Sequence, residues 1–358
     1  MIAAEKVEVK KLPDSQVEMT GEIPAEELAR MRPRALAALA KHLSIPGFRA
    51  GHVPARIAAE RLGEMKILEE AVEIAMGEMV PEIITREKLS LAAPPEVTIT
   101  KLAPGNPAAF RIRAYIMPEI TLPDYRAIVK KELGIAEENA EVSAENVESF
   151  ITDIRKRATG AKSAGERDGG AAGEGGATGN NMAPLPDLTD EFVRKLGAFT
   201  DVADFRKKVR ENLLEEKALR AREKRRARIA EHLIAGTTFE LPPPLIENEL
   251  DRMEAEWNDN LERLGLKADE YLKKVGKTRE ALRGEWRESA AKRVRLQLLL
   301  FKIALAESIS VPEKELQEKT SRIVERHKGA DSARVRSYLT TILTNEKVFE
   351  FLESQKTP

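Results

Sequence analysis

"PPPLIENELDRMEAEWNDNLERLG", Pro242 to Gly265, decides how the second half of the chain is read. Ile246, Leu250, Met253, Trp257, Leu261 and Leu264 recur every three or four residues, which puts all six on one face of an α-helix. The prolines stand where a helix can begin and Gly265 where it can end. Outward toward the C-terminus, "TREALRGEWRESAAKRVRLQLLLFKIALAESI" (Thr278 to Ile309) predicts a second long helix with Thr278 as its N-cap. Its residues from Leu296 to Leu305 are apolar nearly all round, so that end is expected to be buried. Ser310 and Glu313 around Pro312 predict a capping box for the next helix, and Arg334 to Leu352 a last amphipathic one. Upstream, Phe192, Leu196 and Phe199 lead into a helix from Val202 to Ile234. The second half therefore reads as all-α from residue 184 to 358, elongated and with helical arms.

Further upstream the composition changes. Ala161 to Asn181 holds seven glycines in 21 residues and no Leu, Ile, Val, Phe, Tyr or Trp. Such a segment buries too little to offset chain entropy, so residues 159–183 are expected to be a flexible linker. Residues 118–158 form a connector plus a helix from Ala144 to Arg157 that should pack on the C-terminal body. Residues 1–117 read differently: Val7, Val9 and Leu12, then "PDS", then Val17 and Met19 make a hairpin. A helix opens at Pro24 with Leu28, Leu36, Leu39 and Leu43 as its stripe, and Pro33 is expected to break it. Pro54 starts a short helix ending at Gly63, and a longer apolar one follows through Ile83 with a kink at Pro81. Val97 and Ile99, then Phe110, Ile112, Ala114 and Ile116, add two strands. The first domain is thus α+β, an antiparallel sheet with helices.

Composition narrows the function classes. The absence of cysteine excludes disulfides, thiolate metal sites and cysteine nucleophiles. His42, His52, His232 and His327 are scattered without a second ligand at helical spacing, so no metal and no cofactor is expected. "MIAAEKVEVK" has no signal-peptide pattern and no apolar run reaches membrane-spanning length, which predicts a cytoplasmic protein with no membrane partner. "VGKT" (Val275 to Thr278) lacks the upstream glycine of a phosphate-binding loop, since Tyr271 stands there; Gly276 reads as a helix C-cap. "KALRAREKRRAR" (Lys217 to Arg228) has seven basic residues and one acid. An RNA-binding or translation-associated factor would use it, but no aromatic residue interleaves, and Glu216 lies one turn from Arg220 as on a salt-bridged helix face. No constellation for catalysis or for a small-molecule substrate is present.

One stretch is unexplained by fold alone. "IPGFRAGHVPARI" (Ile45 to Ile57) needs its glycines and prolines for a turn, but no turn needs Phe48 beside Arg49. It lies in a region, Arg30 to Lys66, with eight basic residues against two acids, so an anionic partner would be steered toward it. Aromatic and Arg residues at a loop tip are favoured interface anchors. "GFRAGHVP" resembles the ribosome-docking signature of the trigger factor family, G-F-R-x-G-x-x-P, through Gly47, Phe48, Arg49, Gly51 and Pro54. Similarity continues through "LPDYRAIVKKE", "PDLTDEFVRKLG", "FELPPPLIENEL" and "ESAAKRVRLQLLLFKIALAESISV", nearly the whole chain.

That resemblance implies an ATP-independent chaperone whose first domain docks on the large ribosomal subunit near the peptide exit tunnel. Gly47, Phe48, Arg49, Ala50, Gly51, His52 and Pro54 would form the docking loop, with Ala50 and His52 departing from the lysines common in the family. Unfolded nascent polypeptides would be held by the helical half, with Ile246, Leu250, Met253, Trp257, Leu261 and Leu264 as candidate contacts. A homodimer off the ribosome is a further expectation. Family members normally insert a peptidyl-prolyl isomerase domain before "LPDLTDEF"; the Gly-rich interval stands in its place, so isomerase activity would hold by family label only and no enzyme is expected.

Overall fold

The computed structural model describes residues 7–46, 48, 53–135, 141–165, 185–327 and 329–355, with the backbone alone for 159–165. The chain divides into one unit of Met1–Pro123 with Ile234–Val348, and another of Asp124–Leu233 with Phe349–Pro358.

The first unit begins with an antiparallel sheet of β1 (Glu8–Leu12), β2 (Gln16–Ile23), β3 (Glu96–Lys101) and β4 (Ala108–Tyr115), in the order β1-β2-β4-β3. "PDS" makes the β1–β2 turn: Asp14 and Ser15 both take positive φ and the Gln16 amide donates to the Pro13 carbonyl at 3.2 Å. Two left-handed residues give the twist that a tight hairpin needs. Met19 opposite Ile112, and Val17 opposite Ala114, put buried side chains on one face. That face is covered by α1 (Ala25–Lys41), α2 (Ala55–Leu62) and α3 (Glu64–Arg86), which bury Leu28, Met31, Leu36, Ala58, Ile67 and Met79 in the same core.

Pro33 does not break α1, contrary to expectation. Proline inside a helix costs about 3 kcal/mol. Burying Leu28, Met31 and Leu36 from the same helix contributes ~1.5–3 kcal/mol each and outweighs it. Helix α3 likewise continues past Pro81 to Arg86.

The second unit contains α4 (Tyr125–Leu133), α5 (Ala144–Gly165), α6 (Asp190–Leu196) and α7 (Val202–Ala235). Helix α4 was not foreseen; Asp124 caps it by accepting from the Ala127 amide at 2.9 Å. Helix α5 runs past Arg157 to Gly165, so 159–165 are helical and the expected linker is shorter; Ala158, Ala161, Lys162 and Ala164 favour continuation despite Gly160. The rest of that linker, 166–183, lies outside the described residues. Val147 and Ile151 of α5, Val193 of α6, and Phe205 and Val209 of α7 form one core. Arg155 donates to the Pro186 carbonyl at 2.7 Å, so the two ends of the interval meet.

The helical part of the first unit comprises α8 (Pro243–Arg263), α9 (Ala268–Val275), α10 (Arg279–Ala306), α11 (Glu313–Arg326) and α12 (Ser332–Ser354), whose last residues belong to the second unit. Thr278 caps α10 by accepting from the Ala281 amide, and Gly276 closes α9 in the left-handed conformation, both as expected. The capping box does not form: Pro312 occupies the N-cap of α11, leaving Ser310 two residues too early. The end of α10 is not buried all round, since Phe301 and Leu305 are more than half exposed.

Candidate docking loop and client surfaces

Lys41 ends α1 and Pro54 starts α2; between them the chain makes a loop whose two stems are anchored in the core. Leu43 and Ile45 pack against that core on one side, Val53 and Ile57 on the other. At its turn the Phe48 amide donates to the Ile45 carbonyl at 3.1 Å, and the Phe48 ring is 40% exposed. A Phe serving the fold alone would be tucked into the core the stems already reach. Pro54, with φ −58°, sets the chain into α2. Gly47, Arg49, Ala50, Gly51 and His52 lie outside the described residues.

The basic region around this loop resolves into two groups. Arg32 grips Glu64 through bonds of 2.9 and 2.8 Å, Arg34 meets Glu78 at 2.7 Å and Arg30 meets Glu27 at 2.8 Å. The hydrogen bonds from Arg32 hold Glu64 below the usual carboxylate range. These pairs fasten α1 internally and to α3, so their charge is spent within the fold. Lys41, Arg56, Arg61 and Lys66 are exposed and make no ion pair among the described residues. Lys41 immediately precedes the loop and Arg56 immediately follows it, so net positive charge flanks Phe48.

The second basic run behaves as a solvated, internally paired helix face. Arg220 pairs with Glu216, Arg222 and Arg226 both grip Glu353, and Arg228 meets buried Glu132 at 2.9 Å. Lys217 bonds to the Glu141 carbonyl and to Asn146. Burial pushes Glu353 upward, but hydrogen bonds from Arg226 and Arg222 outweigh it and hold its carboxyl below the usual range. Little of this run's charge is left for a nucleic-acid backbone.

The six expected client contacts separate by burial. Leu250 and Leu261 are buried, so they build the hairpin of α8 and α10 rather than presenting a surface. Ile246, Met253 and Trp257 are half-buried, with Trp257 packed edge-on against Trp286 and Tyr271 at 6.1 and 5.9 Å. Leu264 is 73% exposed. Following it in the chain, Leu266, Tyr271 and Val275 are also exposed, so α9 and its approach present apolar side chains that the single-helix reading missed. The hairpin beneath is laced by ion pairs: Arg283 reaches Glu247, Asp251 and Glu254 at 2.9, 2.7 and 3.0 Å. Those bonds, led by Arg283, hold Glu247 below the usual range.

A cleft of about 500 Å³ between α8, α10 and α12 is a second apolar surface, floored by Leu296 and Leu300 and walled by Tyr338 and Ile342, with Arg252, Arg293 and Arg334 on its rim. The i, i+4 spacing of Tyr338 and Ile342 was the available signal. Among the described residues no group of three or more acids or histidines is arranged to hold a metal, and no helix is long and apolar enough to cross a membrane.

Two family models match this chain: the bacterial trigger factor protein over residues 5–154 and the trigger factor C-terminus over 201–357. Curated relatives include trigger factors of Caldicellulosiruptor bescii (26% identical, covering 89% of this chain and 87% of the relative) and Staphylococcus epidermidis (24%, 86% and 86%). That of Frankia casuarinae is 27% identical over 87% of this chain and 77% of its own. A solved trigger factor chaperone, described for promiscuous substrate recognition in folding and assembly, superposes with TM-score 0.54 at 18% identity, covering 97% of this chain and 99% of that one. It shares the fold: a four-stranded antiparallel sheet with helices, followed by a mostly helical region. With both family models matched in order along one chain, this protein belongs to the trigger factor family of chaperones.

Proposed function

We propose that this chaperone docks on the large ribosomal subunit beside the peptide exit tunnel and holds nascent, unfolded chains without ATP, in the cytoplasm. The observation that carries the reading is Phe48, 40% exposed on a loop whose stems are fixed in the core and whose flanks carry Lys41 and Arg56, both exposed and without an ion pair among the described residues. An aromatic anchor within positive charge suits a ribosomal surface, where RNA supplies the field and protein an apolar pocket. Gly47, Arg49, Ala50, Gly51, His52 and Pro54 complete the loop in this reading.

Client holding belongs to the helical part. Dispersed apolar patches set among charge bind many sequences weakly, because nothing in them demands one partner. Leu264 with its neighbours and the Tyr338–Ile342 cleft fit that demand. Self-association into a homodimer off the ribosome would cover the same surfaces. The short Gly-rich interval between Arg155 and Pro186, which a hydrogen bond joins, stands where the family places an isomerase domain. A prolyl isomerase needs a folded apolar pocket, and chains below about 40 residues rarely build one unaided.

Ribosome co-sedimentation tests the docking. Phe48→Ala with Arg49→Ala should abolish it at unchanged helical content, and binding by the parent should weaken as salt rises. Undiminished co-sedimentation of the double variant overturns the reading.

A further inference from the structure

The sheet of the first domain ends at β3, and its far edge has no strand partner among the described residues. Val97 and Ile99 stand opposite Ile112 and Phe110, both buried, so they share the helix-covered face. Yet Val97 is 39% exposed, because α3 leaves that margin of the sheet uncovered. Between β3 and α3 runs a groove of about 550 Å³, floored by Val72, Met76, Val80, Val97 and Ile99, with exposed Glu69 and Glu73 on the helix side.

Two features of its helical wall serve nothing within the fold. Gly77 sits in the middle of α3, where glycine weakens a helix relative to alanine. A Cβ there would meet nothing within 4 Å, so the chain's own packing does not require glycine. Pro81, also in the groove, has no N–H, which deprives the Gly77 carbonyl of its helical donor. A helix wall without a side chain at Gly77 thus leaves the groove open beside an edge strand that has no strand partner among the described residues.

We propose that this groove takes an extended polypeptide segment that adds to β3 as a fifth strand, with alternate apolar side chains on the floor and a basic residue toward Glu69 and Glu73. Main-chain bonding to an edge is tolerant of sequence, and the side-chain period of two would put every second residue on the floor. The acidic rim selects the occupant: a second copy docking about a two-fold axis would bring Glu69 and Glu73 against the same pair, whereas a Lys- or Arg-bearing segment complements them. This strand-addition site is separate from the helical client surfaces proposed above and stands or falls independently of them.

The test uses the full chain and a labelled nine-residue peptide, Thr-Val-Thr-Val-Thr-Lys-Thr-Lys-Thr, whose valines and lysines share one face of a strand. Its binding should protect the amides of Glu96–Lys101 from hydrogen exchange. The same peptide with alternate backbone N-methyl groups, in either register, should bind at least tenfold more weakly in one register. Gly77→Phe, which plugs the groove, and Glu69→Lys with Glu73→Lys, both on exposed positions, should each raise the Kd about tenfold at unchanged helicity. The charge-reversed pair keeps the test decisive should Gly77→Phe perturb folding. Equal affinity for both N-methylated registers, or no protection at Glu96–Lys101 at saturation, overturns the proposal. So does protection there that grows with protein concentration in the absence of peptide, which would identify a second copy as the occupant.

Discussion

Gly77 gives the simplest separation of stability from binding at the level of one residue. Open space surrounds its missing Cβ, so Gly77→Ala should raise stability by about 0.5–1 kcal/mol, read as a higher urea midpoint at constant slope. Glu353 predicts the reverse. It is held by Arg222 and by the mostly buried Arg226, so Glu353→Ala removes a shared carboxylate acceptor from both guanidinium groups. A loss of about 1–3 kcal/mol is expected in the same measurement. Several residue-scale features were legible in the sequence. Thr278 and Gly276 needed only local chemistry, and Glu216 with Arg220 only helical spacing. Pro33 and Ser310 were misjudged because each was read from its own local rule. The first is overridden by the burial of its neighbours, and the second is displaced by a proline that claims the cap position.

At the scale of elements, alternation identified all four strands and the 3.6-residue period nearly every helix. Helix α4 escaped because "YRAIVKKEL" is short and its buried Val129 and Glu132 leave no long stripe. The six-residue stripe of α8 was found correctly as a face, but a face is first what a helix buries. Leu250 and Leu261 are therefore core, and the exposed remainder depends on where α9 and α10 stop covering it, which no single-helix pattern contains. Leu264→Ser together with Tyr338→Ser and Ile342→Ser should reduce suppression of aggregation of an unfolded client several-fold, while exposed positions keep stability within about 0.5 kcal/mol. An unchanged aggregation curve would remove these surfaces from client holding. The ion-paired carboxylates set a pH dependence. Glu247 and Glu353 have folded-state values below the ordinary 4.5, so their stabilisation is present above that pH and lost as pH falls through the folded values. Urea midpoints should be flat from pH 7 to about 5 and fall below, less steeply in Glu353→Gln.

For the whole molecule, an antiparallel sheet with helices followed by a mostly helical region could be read before any coordinates, because the change of period marks the change of architecture; the grouping of Asp124–Leu233 with Phe349–Pro358 could not, since it depends on contacts distant in sequence. The loop carrying Phe48 was legible through its odd residues; the groove beside β3 was not, since it depends on what α3 leaves uncovered. The Arg155–Pro186 bond predicts that deleting Gly169 to Gly179 leaves ribosome binding and holding almost unchanged, because loop closure depends only weakly on length. A proline tetrapeptide assay should likewise give the uncatalysed rate, on the scale of tens to hundreds of seconds. One feature bears on how the molecule is made. Arg126 lies over Phe351, Arg226 over Phe349, and Glu353 ties Arg222 to Arg226, so the unit that begins at Asp124 is finished by residues from Phe349 onward. During vectorial synthesis those arginines are made before any of 234–348. The sheet and its helices, contiguous from Glu8 to Tyr115, can collapse early; Arg222 and Arg226 of α7 must wait for Phe349 to Glu353 before those partners exist. This chaperone therefore closes its second unit late, when the segment from Phe349 onward becomes available.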